Sequence, residues 1–205
     1  MARKILHLDL DAFFCSVEEL LDPSLVGKAF AVGGSPQGRG VIASCSYAAR
    51  LKGVRSAMPA GKAIQLCPEL LMIHHRHHLY SEYSDRVMSI LHDTTPVVEQ
   101  VSVDEAFIDV SDLPQPLRMI AVGLQKRVAD ETQLPCSLGG ATNKLVAKMA
   151  NDYGKKQVRT GRAPRAITII EPGGEQAFMA PLDIQALWGF GPKTADKLRE
   201  RGIFR

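Results

Sequence analysis

The sequence predicts an α+β fold built on a ferredoxin-like βαββαβ sheet, with a long insertion after the first strand. Three observations predict it: a period-2 alternation at residues 4–11, a strand pattern at 97–110 interrupted by two adjacent acids, and helical periodicity on either side of that hairpin. The 205 residues are 45% hydrophobic, which is ordinary for a globular chain that buries a core. The βαββαβ order holds if residues 12–75 are treated as the insertion.

The first strand separates apolar from polar side chains. The leucines at 6, 8 and 10 face one side of it, and the other side carries His7, Asp9 and Asp11. Asp11 is predicted to cap the helix that follows at residues 12–21, because an aspartate oxygen can accept hydrogen bonds from the first turn.

The insertion has its own alternation of short strands and helices. A glycine-rich turn at residues 33–40 predicts a tight connection between two strands. Gly53 marks the end of one short helix and Pro59 the start of the next. The elements expected here are strands at 30–34 and 41–44, helices at 46–52 and 59–66, and a strand at 70–74.

The second half completes the βαββαβ order. A long helix is predicted by apolar and aromatic residues at helical spacing between Tyr80 and Leu91. The elements expected after it are hairpin strands at 97–102 and 106–110, a helix through 117–128, a strand at 137–141, a loop at 156–164 and a strand at 166–170.

The last residues, 187–202, have the pattern of a helix-hairpin-helix. Its Gly-x-Gly turn at residues 189–191 would let backbone N–H groups at a helix N-terminus approach a DNA phosphate, and Lys193 would add charge. A tight turn between two helices without any ligand is the alternative.

Asp104 and Glu105 stand at the turn of the central hairpin. If Asp9 lies beside them, three carboxylates converge, and two unit charges about 4 Å apart repel by roughly 4 kcal/mol at an effective dielectric near 20. Such a cluster needs a cation or a shared proton, and hard oxygen ligands of this kind suit Mg²⁺. The alternative is that the two adjacent acids form only a polar turn.

Positive charge is concentrated in one stretch, although the net charge is only +3. A local excess of this kind predicts contact with a phosphate backbone, and a solvated helix face is the alternative. Residues 141–165 contain only one acid, Asp152. The basic residues in the same stretch are Lys144, Lys148, Lys155, Lys156, Arg159, Arg162 and Arg165.

Neither the cysteines nor the histidine cluster favours a metal or disulfide framework. The 4 cysteines have no CxxC spacing, so we expect reduced, buried thiols. The histidines of residues 74–78 lie where a strand enters a helix, so they point in different directions and cannot easily share one ion. No apolar run is long enough to span a membrane and no signal peptide is present, which predicts a cytoplasmic protein without membrane contact.

Four segments together resemble the Y-family translesion DNA polymerases: HLDLDAFFCSVE at 7–18, SYAARLKGVRSAMP at 46–59, SVDEAFIDV at 102–110 and GGATNKLVAKMAND at 139–152. The resemblance implies a palm at 1–11 and 76–165, fingers at 12–75 and a partial thumb at 166–205. It also implies a little-finger domain after the thumb, which has no counterpart here. We therefore expect either that the sequence is part of a longer protein or that a partner supplies this domain.

The resemblance also implies a role for each site residue. Asp9, Asp104 and Glu105, with the Leu10 carbonyl, would hold two Mg²⁺ ions, whereas Asp11 matches an acid that is not usually a metal ligand. Phe14 would be a steric gate against a ribose 2′-hydroxyl, with Phe13 in the core. The residues implied to contact the incoming dNTP are Tyr47, Arg50 and Lys155 at the triphosphate and Ser44, beside Ala43, at the nascent base pair.

The implied activity is a low-fidelity DNA-directed DNA polymerase that copies damaged template by two-metal-ion nucleotidyl transfer from dNTP to a primer 3′-hydroxyl. Its partners would be primer–template DNA, dNTP and a sliding clamp bound through a C-terminal region that this sequence lacks, and we expect a monomer. Two other functions stay open: a noncatalytic accessory protein that binds DNA or repair factors, and a palm-type nucleotidyl cyclase.

Overall fold

The computed structural model describes residues 2–158 and 160–205. These residues form eight strands and eight α-helices. The strands are β1 (Ile5–Leu10), β2 (Phe30–Gly33), β3 (Ile42–Cys45), β4 (Leu71–Ile73), β5 (Val98–Gln100), β6 (Glu105–Asp109), β7 (Cys136–Ala141) and β8 (Ile167–Ile169). The helices are α1 (Phe13–Leu21), α2 (Tyr47–Leu51), α3 (Ala60–Leu66), α4 (His77–Thr94), α5 (Leu117–Thr132), α6 (Lys144–Gln157), α7 (Glu175–Met179) and α8 (Pro192–Arg199).

The main sheet has the order β5-β6-β1-β7-β8. Strand β1 is antiparallel to both of its neighbours, β6 and β7, and β8 adds to the edge of β7 in parallel. Leaving out β8 and residues 12–75, the chain runs β1, α4, β5, β6, α5, β7, which is the ferredoxin-like order predicted from the sequence. The α+β fold class is therefore confirmed.

Both faces of the main sheet are covered. The leucines at 6, 8 and 10 pack in the largest core with residues of α1, α4 and α5. On the other face, Phe107 packs in a smaller core with Val146 and Ala147 of α6. The alternation in β1 thus separates two buried faces, and His7 is buried on the second one. A polar group in that position needs hydrogen-bond partners inside the protein.

The insertion forms a second sheet with the order β3-β2-β4. Strand β2 joins the two sheets' cores, because Phe30 and Val32 belong to the main core while Ala31 packs with the insertion's own small residues. Ser46 caps α2, and its hydroxyl accepts a hydrogen bond from the Ala49 N–H. The strands and helices predicted between residues 30 and 74 are all present, with ends that differ by at most one residue.

The predicted capping of α1 by Asp11 is wrong. The helix begins after Ala12, which adopts a left-handed conformation with φ 48°, and no side chain caps it. A left-handed backbone at a residue other than glycine costs on the order of 1 kcal/mol. The Asp11 carboxylate is fully buried and accepts instead from the Ser137 hydroxyl at 2.9 Å and from the Arg165 N–H at 3.0 Å. The chain therefore turns from strand to helix within two residues.

Helix α6 was not predicted as an element, and it lies directly against β7. Its contact is at Gly139, where an added Cβ would stand 2.0 Å from the Ala147 carbonyl oxygen and 2.4 Å from the Asn151 nitrogen. Only glycine permits this approach of helix backbone to strand. The Asn143 side chain caps the helix by accepting from the Val146 N–H.

The end of the chain contains a turn between two short helical segments. A single 3-10 turn at Ile184–Ala186 precedes α8, and Gly189 and Gly202 adopt positive φ at the connection and after the helix. Strand β8 lies within residues 166–205, the range predicted as the partial thumb, but it pairs with β7 of the main sheet. The domain boundaries remain a prediction. Among the residues described, no helix is long and apolar enough to cross a bilayer.

Candidate active site

The pairing of β1 with β6 brings the predicted acids together. Asp9 stands directly opposite Glu105 in the antiparallel ladder, and the Leu10 N–H donates to the Asp104 carbonyl oxygen at 2.9 Å. Residues opposite each other in such a ladder project from the same face. The predicted proximity of Asp9 to the two acids of the hairpin is therefore confirmed.

A cavity of about 260 Å³ opens at this end of the two strands. Residues of the main sheet and residues of the insertion both line it. The predicted site residues that line it are Asp9, Leu10, Phe14, Ser44, Arg50, Asp104 and Lys155, together with Ala12, Phe13, Ala43 and Ser56. Glu105 and Tyr47 are the two predicted residues that do not line it. Seven of the nine predicted site residues therefore lie around one cavity, and their roles stay a prediction.

Two lysines of α6 compensate the charge of the acids. Lys155 Nζ lies 2.5 Å from Asp9 Oδ1 and 3.4 Å from Asp11 Oδ1. Lys148 Nζ donates to Glu105 Oε2 at 2.7 Å, which His7 Nε2 also approaches at 3.2 Å. Within the described residues, in contrast, the Asp104 carboxylate accepts only from the Ser102 hydroxyl, which lies 2.6 Å from Oδ1.

The pKa values of the acids follow from these surroundings. Burial raises the pKa of Asp104 above its ordinary value, and the charges of Asp9 and Glu105 raise it further. The hydrogen bond from His7 and the bond from Lys148 lower the pKa of Glu105 to about 2. Burial lowers the pKa of Lys155, but the charges of Asp9 and Asp11 outweigh burial, so the net shift is upward.

The donor set fits a hard cation in its chemistry. Three carboxylates and the Leu10 carbonyl are oxygen ligands of the type that Mg²⁺ prefers. Among residues 2–158 and 160–205, however, no three histidine, cysteine or acidic side chains are close enough to form an ion site as they stand. Asp9 and Glu105 instead each form an ion pair with a lysine of α6.

The opposite wall of the cavity comes from the insertion. Helix α2 places Tyr47 and Arg50 on one face, as their spacing predicts, with the guanidinium 4.7 Å from the centre of the Tyr47 ring. The Tyr47 hydroxyl is buried and has no hydrogen-bond partner in the described part of the chain. Burial raises the pKa of this phenol, so the hydroxyl keeps its proton and remains a donor. A buried donor without a partner is costly unless a ligand accepts from it.

Phe14 lies on the floor of the cavity and is supported from below. Its ring stacks on Tyr80 at 4.2 Å between centroids with 16° between planes. The Tyr80 hydroxyl donates to buried Glu18 at 2.6 Å, and Arg76 pairs with the same carboxylate. Phe13 is buried in the main core, as predicted.

Three residues around Glu105 have no role in the sequence-based prediction of the site. The sequence places His7 on the polar face of β1 and Lys148 in the basic stretch, and it gives no indication of a role for Asn151. Asn151 is fully buried, and its amide nitrogen lies 3.0 Å from His7 Nδ1. The available signal was the spacing of Lys148, Asn151 and Lys155, which places all three on one face of a helix.

The basic stretch is less free to contact a phosphate backbone than its composition suggests. Lys144 pairs with Glu99 at 2.8 Å, and Lys148 and Lys155 are bound to the acids of the site. Lys156, Arg162 and Arg165 are exposed, and Arg159 lies outside the described residues. DNA contact by this stretch stays a prediction.

Two rings of the histidine cluster stack on each other. The rings of His75 and His77 stack at 4.9 Å, and His75 meets the edge of Phe14 at 6.3 Å. The four cysteines are buried free thiols, as expected.

Comparison with known proteins gives two family matches. Residues 8–152 match the impB/mucB/samB family, and residues 172–203 match the IMS family HHH motif. The second match covers the predicted helix-hairpin-helix. The first covers the acids, helix α6 through Asp152 and all of the residues that line the cavity except Lys155.

Individual relatives agree with these matches. The chain is 43% identical over 204 residues to a DNA polymerase IV of Pseudomonas paraeruginosa, covering 98% of this chain and 56% of the relative. It is 44% identical over 203 residues to a DNA polymerase IV 2 of Mesorhizobium japonicum, covering 97% of this chain and 46% of the relative. The chain therefore spans about half the length of the curated relatives it matches.

Two solved structures share the fold over nearly the whole chain. DinB from Sulfolobus solfataricus superposes with a TM-score of 0.88 at 30% identity, covering 98% of this chain and 58% of that one. An insertion ternary complex of Dbh DNA polymerase gives a TM-score of 0.89 at 30% identity and the same coverage.

Proposed function

Because the chain belongs to the impB/mucB/samB family, the Y-family DNA polymerases, we propose that it carries the catalytic part of a DNA-directed DNA polymerase that copies damaged template. The observation that carries this proposal is the single cavity that gathers Asp9, Asp104, Phe14, Arg50 and Lys155. The substrates would be dNTP and the 3′-hydroxyl of a DNA primer. A monomeric, cytoplasmic protein and a contact with a sliding clamp stay predictions.

Asp9, Asp104, Glu105 and the Leu10 carbonyl would hold the metal. Two bound Mg²⁺ ions would supply a lowered pKa at the primer hydroxyl and stabilisation of charge at the phosphate that is attacked. Asp104 is suited to this task because it has no cationic partner in the described chain and lies in the cavity wall. Asp9 would exchange its contact with Lys155 for an ion, whereas Glu105 would bind through the oxygen that Lys148 does not contact.

The triphosphate of the nucleotide would be bound by donors from both walls. Arg50 presents a forked guanidinium at the cavity, and Tyr47 offers the hydroxyl that lacks a partner. Lys155 would move from Asp9 to a phosphate oxygen once a metal ion compensates that carboxylate. These donors orient the nucleotide so that the primer hydroxyl meets the phosphorus in line.

The base-pair side of the cavity is lined by small residues. Ala43 and Ser44 offer little bulk against a misshapen pair, so discrimination would rest on base pairing itself. A single poorly matched contact is worth only about 1–3 kcal/mol. Low fidelity and tolerance of distorted templates follow from this wall.

The test of the proposed function is primer extension by the purified chain with Mg²⁺ and single dNTPs, on intact and abasic templates. We expect template-directed addition on both. Conversion of ATP or GTP to a cyclic nucleotide without DNA would favour a nucleotidyl cyclase. Absence of both extension and Mg²⁺-dependent dNTP binding would overturn the proposal in favour of a noncatalytic accessory protein.

Lys155→Met is expected to tighten Mn²⁺ binding in the absence of nucleotide by roughly tenfold, because the ammonium group beside Asp9 repels an incoming cation. The same change should weaken binding of dNTP, which loses a cationic contact. Titration followed by electron paramagnetic resonance of free Mn²⁺ measures the first effect. Lys156→Met, an exposed lysine one position later, is the matched control and should change neither affinity. Weaker Mn²⁺ binding in Lys155→Met would contradict the prediction.

DNA affinity is expected to fall steeply with salt, since each phosphate contact contributes about −0.9 to the log–log slope on duplex. Lys193→Gln, at the start of α8, should reduce the magnitude of this slope by about 1. Lys126→Gln in α5 is the control, because that lysine already pairs with Asp130. The slope is measured by fluorescence anisotropy of a labelled primer–template at several salt concentrations. Equal slopes for both variants would remove the hairpin turn from the DNA contact.

A further inference from the structure

The geometry points to His7, supported by Asn151, as a positioning residue that selects which oxygen of Glu105 is presented to a cation. This inference rests on the proposed function, because it assumes that Glu105 is a metal ligand. It concerns two side chains beneath the cavity that the family resemblance leaves without a role.

Both side chains are fully buried and fixed in place. The His7 ring packs against Phe107, with 4.7 Å between centroids, on the face of β1 that also carries Asp9. Asn151 projects from α6 where that helix is closest to β7, beside Gly139. Neither side chain can change its direction without disturbing the packing of strand against helix.

The surroundings of Asn151 decide which end of its amide faces the sheet. Its Nδ2 lies 3.2 Å from the His7 carbonyl oxygen and 3.1 Å from the Ser137 carbonyl oxygen. Both are acceptors only, so the amide must present its NH₂ group to them. The reversed amide would place Oδ1 against two carbonyl oxygens.

This amide orientation fixes the hydrogen on His7. Asn151 Nδ2 also lies 3.0 Å from His7 Nδ1, so its two hydrogens are shared among three acceptors, and because Nδ1 faces an NH₂ group the ring hydrogen is carried on Nε2. His7 Nε2–H then donates to Glu105 Oε2 at 3.2 Å. Hydrogen bonds thus connect two backbone carbonyl groups, through Asn151 and then His7, to the Glu105 carboxylate.

Lys148 donates to the same oxygen, Oε2, at 2.7 Å. Both donors are on Oε2, and Oε1 has no hydrogen-bond partner in the described chain, so Oε1 is the oxygen left to bind a cation. Lys148 ends a flexible stem that can follow a moving carboxylate, whereas the His7 ring is held by its packing. His7 is therefore the group that defines the orientation of Glu105. Outer groups of this kind typically change metal affinity by roughly 10–100-fold when they are removed.

A matched pair of amide substitutions separates this role from simple packing. In His7→Gln, the amide nitrogen can occupy the place of Nε2 and still donate to Glu105. In His7→Asn, the shorter amide can still accept from Asn151 but cannot reach Glu105. We expect Mn²⁺ affinity of the purified chain to stay within about threefold for Gln and to fall by roughly tenfold for Asn. Equal affinities in the two variants, with thermal melting showing both folded, would overturn the inference.

Two further measurements keep the outcome clear. Long-range ¹H–¹⁵N correlation spectra of the wild-type chain report the histidine tautomer without any variant, and a hydrogen on Nδ1 of His7 would overturn the inference. Asp104→Ala serves as the reference for the metal site itself. If Asp104→Ala leaves Mn²⁺ affinity unchanged, the proposed function fails; if it weakens binding while His7→Asn does not, only the role of His7 fails.

Discussion

Asp104→Ala is expected to lower the rate of nucleotide addition by roughly 10³-fold or more, because several kcal/mol of charge stabilisation depend on the metal ions that this carboxylate would hold. Asp104 is the acid of the site without a lysine partner in the described chain, so its loss leaves no buried ammonium group unpaired. Burial and the charges of Asp9 and Glu105 already raise its pKa. Its removal should therefore leave the melting temperature unchanged or slightly higher.

Single-turnover primer extension with saturating dNTP measures the rate, and thermal unfolding followed by circular dichroism measures stability. Asp112→Ala, an exposed acid in the loop after β6, is the control and should behave as wild type. A wild-type extension rate in Asp104→Ala would sink the metal assignment. A large drop in melting temperature would show instead that the carboxylate is structural.

Phe14→Ala is expected to raise incorporation of ribonucleotides relative to deoxynucleotides by about 10²-fold, since overlap of a ribose hydroxyl with a fixed ring costs a few kcal/mol. The ring is fixed because it stacks on Tyr80, which is anchored through Glu18. Mismatch rates should change little, because Ala43 and Ser44 line the base-pair side of the cavity and Phe14 does not contact that pair in the proposed arrangement.

The measurement is the ratio of single-nucleotide insertion for dNTP and rNTP, with mismatch insertion recorded in parallel. Phe14→Leu should give an intermediate ratio, because it keeps part of the bulk. Phe204→Ala, an exposed phenylalanine near the end of the chain, is the control. An unchanged ratio in Phe14→Ala would exclude this ring as the gate.

Local patterns predicted the strands of the main sheet, the elements of the insertion and the pairing that places Asp9 opposite Glu105, but not helix α6. Alternation at residues 4–11 and 97–110 defines strands whose neighbours follow from the ferredoxin-like order, so the meeting of Asp9 with Glu105 could be expected. The spacing of Tyr47 and Arg50 likewise predicted a shared helix face. These features depend on periodicity within a dozen residues, and such periodicity is what a single sequence displays.

The remaining features depend on contacts between distant residues. The segment around Asp11 does not indicate that its carboxylate accepts hydrogen bonds from the Ser137 hydroxyl and the Arg165 N–H instead of capping the helix. His7 and Asn151 are 144 residues apart, and their contact exists only because α6 packs across β7 and β1. The charge of Lys148 was visible in the sequence, but its partner Glu105 was not.

Gly139 determines how closely helix α6 can pack against β7. A single methyl group there would collide with the backbone of α6 at Ala147 and Asn151 and would force that helix away from the sheet. The same helix carries Lys148, Asn151 and Lys155, so one displacement would loosen the contacts to Glu105, His7 and Asp9 at the same time. The positions of these three side chains relative to Glu105, His7 and Asp9 thus depend on a glycine in β7, which lets helix α6 lie directly against the strand.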